Sequence, residues 1–263
     1  MGRDIQEKPF AGIDCGSSFC KGALLQNGKA AAFARRPTGW NIAESGRLIL
    51  EELLAKSGGD ECCETLILGA TGYGREKIAH AVMTLTEISA HAMGAEFLCP
   101  GVRTVIDIGG QDSKVITVEK GRARNFQMND KCAAGSGRFL EMVARRLELD
   151  AAALEELLAA GKEAALNSTC VVFAESEITG LLVEGVSREE IIGGVAASMS
   201  RRIATLAGRA GVVSPAVLTG GLSESAGIRE RLSRVLGVEL LAAPYGIYAG
   251  AIGAALAAME HEQ

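Results

Sequence analysis

The sequence predicts an α/β fold built by internal duplication, and three observations carry that prediction. The first is composition. Of 263 residues, 48% are hydrophobic, only 4% are aromatic, and 33 are glycine. A chain rich in Ala, Gly, Val and Leu packs strands against small-residue helices, and it is neither fibrous nor disordered. The second is a strand–turn–strand unit with an aspartate at its tip. It occurs first at Asp14-Cys15-Gly16-Ser17-Ser18 and again, 93 residues later, at Asp107-Ile108-Gly109-Gly110-Gln111-Asp112. The third is a strand, Ala216–Thr219, that ends in the pair Gly220-Gly221.

The elements follow in order. Phe10–Asp14, Lys21–Leu25 and Ala30–Arg35 read as a three-stranded meander. Ala43–Lys56 spaces Leu48, Ile49, Leu53 and Leu54 along one helical face, with charges opposite. Thr65–Gly69 is a short buried strand, followed by a glycine-rich turn, Ala70–Arg75. Thr86–Glu96 is helical, and the first half closes near Pro100-Gly101. In the second half, strands at Thr104–Ile108, Ser113–Ile116 and Ala123–Met128 lead into a turn around Cys132. Helices are predicted at about Ser136–Leu147, Ala151–Ala160, Ser187–Ala210 and Ser225–Leu236. A strand at Val238–Leu241 and an Ala-rich helix at Tyr245–Met259 complete the chain. The expected organisation is a first lobe of residues 1–100 and a second of residues 101–244, with the last helix packed back on the first.

Net charge of −5 argues against a general nucleic-acid binder. No apolar run reaches the roughly 20 residues of a membrane helix, and Met1–Pro9 is polar rather than a signal peptide. The expectation is a cytoplasmic protein with neither nucleic-acid nor membrane partner. Disulfides are not expected in that compartment, so the seven cysteines are left to metal, redox chemistry or burial. No Cys-x-x-Cys is present, and three histidines leave little for a histidine metal site.

Paired Asp-x-Gly turns suit a nucleotide clamp. Backbone N–H groups of a Gly/Ser turn converge on phosphate without side-chain obstruction. Asp14 and Asp107 are placed to hold Mg²⁺ through water. Lys21 is a point charge for phosphate, and Gln111 or Asp107 is a candidate to orient the attacking water. Gly220-Gly221 permits close backbone approach by an adenosine. Neither turn is a Walker loop or a Gly-x-Gly-x-x-Gly fingerprint.

Asn129-Asp130-Lys131-Cys132-Ala133-Ala134-Gly135-Ser136-Gly137 places a cysteine in a polar turn before a helix that Ser136 is expected to cap. A helix start offers N–H groups and a positive dipole end to an anionic sulfur. Cys170, flanked by Val171-Val172-Phe173, reads by itself as a buried residue. Cys15, Cys20, Cys62, Cys63 and Cys99 read as structural or incidental, although oxidation of Cys15 inside the turn would block nucleotide. Arg145-Arg146 and Arg201-Arg202 read as solvated helix faces, and His80 and His91 as surface or packing residues. Glu175 and Glu177 read equally as nucleotide contacts or as a helix cap.

These motifs resemble the actin, hexokinase and Hsp70 superfamily, whose fold is a duplicated ribonuclease H-like ATPase with two lobes around a nucleotide cleft. Within it the chain resembles the activator (archerase) family of 2-hydroxyacyl-CoA dehydratases, related to the BadF/BadG/BcrA/BcrD ATPases of benzoyl-CoA reduction. The motifs are Gly12-Ile13-Asp14-x-Gly16-Ser17, Ala70–Arg75, Ile106–Asp112, Asn129–Gly135, Cys170-x-Val172-Phe173-Ala174-Glu175-Ser176-Glu177 and Thr219-Gly220-Gly221. Together they span Phe10 to Met259. The resemblance implies an ATPase with ATP/ADP and Mg²⁺ on Asp14, Asp107, Gly16, Ser17, Ser18, Lys21, Gly109, Gly110, Gln111, Asp112, Gly137, Gly220 and Gly221. It also implies that Cys132 and Cys170 ligate a [4Fe-4S] cluster. A cubane takes four thiolates, so two chains would share one across a two-fold axis of a homodimer. The implied partners are a 2-hydroxyacyl-CoA dehydratase and a ferredoxin or flavodoxin reductant. The alternatives are an ATPase subunit of a benzoyl-CoA-type or double-cubane reductase, a sugar-type kinase without a cluster, and an actin-like assembly.

Overall fold

The structure, a computed structural model, describes residues 8–56, 66–130, 132–166 and 170–262, with Val172 by its backbone only. Residues 1–7, Cys62, Cys63, Thr65, Lys131, Ser168 and Thr169 lie outside the described residues. The chain runs β1 (Phe10–Cys15), β2 (Phe19–Gln26), β3 (Lys29–Pro37), α1 (Ile42–Lys56), β4 (Ile67–Thr71), β5 (Met83–Thr84) and α2 (Glu87–Leu98). It continues through β6 (Thr104–Ile108), β7 (Ser113–Glu119), β8 (Arg122–Asn129), α3 (Gly137–Arg146), α4 (Ala151–Ala160), α5 (Val171–Val183) and α6 (Arg188–Ala210). β9 (Ala216–Gly220), α7 (Ala226–Leu236), β10 (Leu240–Ala242) and α8 (Ala249–Glu262) follow. None of the described helices is long and apolar enough to cross a membrane.

The strands form two five-stranded sheets of one topology, ordered β3-β2-β1-β4-β5 and β8-β7-β6-β9-β10. In each, the central strand pairs antiparallel with the next in sequence and parallel with the fourth. The duplication read from two turns therefore extends to both whole sheets. Contacts divide the chain into one unit of Met1–Val102, Val118–Arg124 and Ala243–Gln263, and a second of Arg103–Thr117 and Asn125–Ala242.

In the first unit, every residue of β1 is buried. Ala11 and Ile13 pack with Leu24, Leu68, Ile49 and Leu53, the last two on the apolar face of α1. α8 lies on the sheet, touching β1, β4 and β2. A Cβ on Gly12 would sit 1.9 Å from the Ala251 carbonyl oxygen, so the glycine lets the helix backbone meet the strand. That contact explains why the last helix is built from alanine and glycine. In the second unit, Ile106, Ile108 and Val115 of the sheet pack with Phe139, Leu140 and Val143 of α3 and with Ile191, Val195 and Met199 of α6.

Several boundaries differ from the sequence reading. β4 runs through Thr71, because Thr71 pairs with Asp14 on β1, and the turn begins only at Gly72. β5 was not anticipated, being two residues held to β4. Helix α5 had no bounds in the sequence reading, which allowed only a helix start near Cys170, because Val171-Val172-Phe173 has the β-branched and aromatic character of a strand. α8 starts at Ala249 rather than Tyr245, after a short 3-10 turn that Tyr245 precedes in left-handed backbone.

Candidate functional site

The first hairpin builds a half-site around Asp14. Asp14 lies opposite Lys21 on β2 and beside Thr71 on β4. Lys21 Nζ donates to Asp14 Oδ2 at 3.0 Å, with both side chains largely buried. The turn is closed by Gly16 N–H to the Phe19 carbonyl at 3.1 Å, and Thr38 Oγ1 donates to the Gly16 carbonyl at 2.7 Å. Gly72 has φ +91°, and a Cβ there would stand 2.8 Å from Asp14 Oδ1. Only glycine leaves that side of the carboxylate open. Ser17 and Ser18 are half-buried in the turn. His91 is buried, as packing predicts, and His80 is exposed.

The second hairpin repeats the arrangement. Asp107 lies opposite Lys114 and beside Thr219. Lys114 Nζ is 3.3 Å from Asp107 Oδ2 and 2.8 Å from Asp112 Oδ1, and all three side chains are buried. One cation against two carboxylates is an arrangement that suits a further cation. Gly109 N–H donates to the Asp112 carbonyl at 2.9 Å. Gly220 has φ +82°, and a Cβ would stand 2.4 Å from Asp107 Oδ1.

Lys114 was not among the sequence candidates, although its signal was present. It follows Asp107 by seven residues, as Lys21 follows Asp14. The Thr-Gly pairs Thr71-Gly72 and Thr219-Gly220 repeat in the same way, each ending its strand beside the aspartate. Among the predicted contacts, Gly137 N–H is already bonded to the Gly109 carbonyl at 2.9 Å, and Arg138 N–H to the Gly110 carbonyl at 3.1 Å. The start of α3 is therefore docked onto the turn. Gln111 is exposed at the turn tip and Gly221 is exposed after β9.

The cysteines sit at helix entries, with corrections to the sequence reading. Cys132 precedes a short 3-10 turn, Ala133–Gly135, rather than α3 itself. Ser136 does not cap α3 with its side chain; its Oγ donates to the Ala133 carbonyl at 2.7 Å. Cys170 is the N-cap residue of α5 and is exposed, not buried, while Phe173 beyond it is 70% exposed. The helix turns Phe173 outward while Val171 packs on the core, a division that sequence order alone hides. Arg202 is not part of a solvated face. It is half-buried, and its Nη1 approaches Cys132 Sγ at 3.5 Å, placing positive charge beside the sulfur. Arg145 and Arg146 are exposed, Glu175 is exposed and Glu177 is half-buried. Among the described residues of one chain, no three of His, Cys, Asp or Glu gather as a metal site.

A further correction concerns disulfides. Cys15 and Cys20 are bonded, with Cα atoms 4.1 Å apart. They face each other across the hairpin. This pairing is local geometry, to which an argument from compartment is blind.

Two copies of an Asp–Lys–Thr–Gly half-site stand on two sheets of one topology. A ROK hexokinase from Thermus thermophilus shares the fold, with a TM-score of 0.53 at 17% identity over 97% of this chain and all of that one (100%). The chain belongs to the BadF/BadG/BcrA/BcrD ATPase family, whose profile matches residues 11–258. It is 46% identical over 251 residues, 93% of its length and 95% of the relative's, to the (R)-2-hydroxyglutaryl-CoA dehydratase activating ATPase of Acidaminococcus fermentans. It is also similar to the solved structure of the activator of the 2-hydroxyisocaproyl-CoA dehydratase from Clostridium difficile with bound ADPNP. There the TM-score is 0.89 at 37% identity, covering 96% of this chain and 95% of that one.

Proposed function

We propose that this chain is the ATP-dependent activator of a 2-hydroxyacyl-CoA dehydratase. It acts as a homodimer that shares one [4Fe-4S] cluster and delivers a low-potential electron to the dehydratase. The observation that carries the reading is the pair of cysteines at helix entries on one unit. Cys170 is exposed and Cys132 is partly exposed, with Arg202 beside it. Soft thiolates are the donor set an iron–sulfur cluster takes, and two per chain make four in a dimer. The helix entries and Arg202 offset the charge of an anionic ligand set.

The two hairpins support the nucleotide role. Each keeps one carboxylate oxygen toward a glycine that a Cβ would fill, which fits water-mediated Mg²⁺. Lys21 and the turn N–H groups bind and orient phosphate, and Gln111 at an exposed tip is placed to position water. The cluster supplies a one-electron carrier and Mg²⁺ neutralises phosphate charge. Nucleotide drives the electron only by favouring one arrangement of the cysteine-bearing elements over another. A ferredoxin or flavodoxin is the proposed reductant, and the cytoplasm the proposed location.

The test is anaerobic purification with iron and sulfide assay. About four irons per two chains are expected, with iron and dimer both lost in Cys132→Ser and Cys170→Ser. Iron-free protein after anaerobic reconstitution would end the reading.

A further inference from the structure

We infer that Cys15 and Cys20 form a redox-modification site in the first phosphate hairpin, whose oxidation to the disulfide weakens nucleotide binding. The inference rests on reading Gly16–Phe19 as a phosphate turn.

Four observations carry it. The two cysteines are direct partners in the β1–β2 register. The neighbouring Gly16–Phe19 pair is the hydrogen-bonded one, so theirs is the non-bonded pair, in which facing side chains stand closest. Cys15 follows Asp14, and Cys20 precedes Lys21, so the bond lies one residue from each member of the ion pair. It encloses the whole turn. The second hairpin makes the same turn with Ile108 opposite Ser113 and no cross-link. Folding of this motif therefore does not require the bond. Both cysteines are fully buried, and neither belongs to the unit that carries Cys132 and Cys170.

Binding phosphate asks Lys21 to leave Asp14 and the turn N–H groups to converge. A covalent link between the two flanking positions restricts both adjustments. In the dithiol state the strand ends are free to part; in the disulfide state they are not.

The chemistry balances with a small disulfide as oxidant. One cysteine thiolate attacks a sulfur of RSSR, breaking its S–S bond and releasing RS⁻. The second thiolate then displaces the remaining RS⁻ from the mixed disulfide. The protein loses two electrons and two protons, and RSSR becomes two RSH. Because the sulfurs are covered, exchange proceeds through opening of the hairpin tip. Bound nucleotide in turn shifts the dithiol–disulfide equilibrium toward the dithiol, as reciprocity between two linked sites requires.

The test uses anaerobic protein equilibrated with reduced or with oxidised glutathione. Alkylation and peptide mass spectrometry count the Cys15–Cys20 bond, and calorimetry on the same samples measures ADP affinity. Oxidised protein is expected to bind ADP roughly tenfold more weakly, within the ordinary range of coupling between linked sites. Cys20→Ser and Cys15→Ala are each expected to bind alike under both conditions, which removes any effect of oxidant at other cysteines. Equal or tighter ADP binding by the oxidised wild type overturns the proposal, as does failure of oxidant to form the bond. If Lys21→Ala binds ADP as the wild type does, the phosphate-turn reading itself falls, a separate outcome from loss of the redox effect.

Discussion

Lys114 stands opposite Asp107 with its Nζ 3.3 Å from Oδ2, as Lys21 stands opposite Asp14 at 3.0 Å. A lysine thus anchors the aspartate of each hairpin, buried in the second and largely so in the first. Removing one partner of a buried pair strands the other charge. Lys114→Met is expected to destabilise the protein by about 3–5 kcal/mol. Adding Asp107→Asn and Asp112→Asn should restore much of it. Urea unfolding measures both; a single variant as stable as wild type would show that the cation is dispensable.

Arg202 is expected to matter through Cys132. Arg202→Gln should lower iron retention by about 10- to 100-fold, the usual effect of losing a group that supports a ligand. Arg202→Lys should retain more. Competition with a chelator under anaerobic conditions reads the difference, and unchanged retention in Arg202→Gln would separate the guanidinium from the metal site.

Two glycine-to-alanine changes should have opposite signs. Gly220 has φ +82°, and a Cβ there meets Asp107 Oδ1. Gly220→Ala is expected to cost about 1–3 kcal/mol in backbone strain alone and to weaken ADP binding. Gly208 lies on the exposed side of α6, where a Cβ meets nothing within 4 Å. Gly208→Ala should add about 0.5–1 kcal/mol. Thermal unfolding of the two variants side by side checks the contrast.

Burial pushes the Cys99 thiol above its ordinary range. A thiol that keeps its proton to higher pH in the folded chain than in the unfolded one gives stability that is full below the unfolded value and fades as pH rises. It also presents less thiolate at mildly alkaline pH. In iron-stripped protein at about pH 8, near the ordinary thiol range, iodoacetamide is expected to label exposed Cys170 before Cys99. Peptide mass spectrometry gives the order; early labelling of Cys99 contradicts the burial argument.

The sequence by itself determined the repeated strand–turn–strand, the aspartate at each tip, the helix before Lys56 and the cysteine in its polar turn. These are local matters, set by period-two and helical spacing and by glycine in tight turns. The register partners were another matter. Lys114 is a charge inside a strand; the repeated Asp–Lys spacing marks it, but its second carboxylate, Asp112, emerges only from the folded hairpin. Arg202 is 70 residues from the sulfur it approaches, and Thr219 is 112 residues from Asp107. Cys170 read as buried, yet as the N-cap residue of helix α5 it is exposed, as is Phe173. Tertiary structure decided all of these, because whether a side chain is buried, paired or exposed depends on which distant strand or helix lies against it.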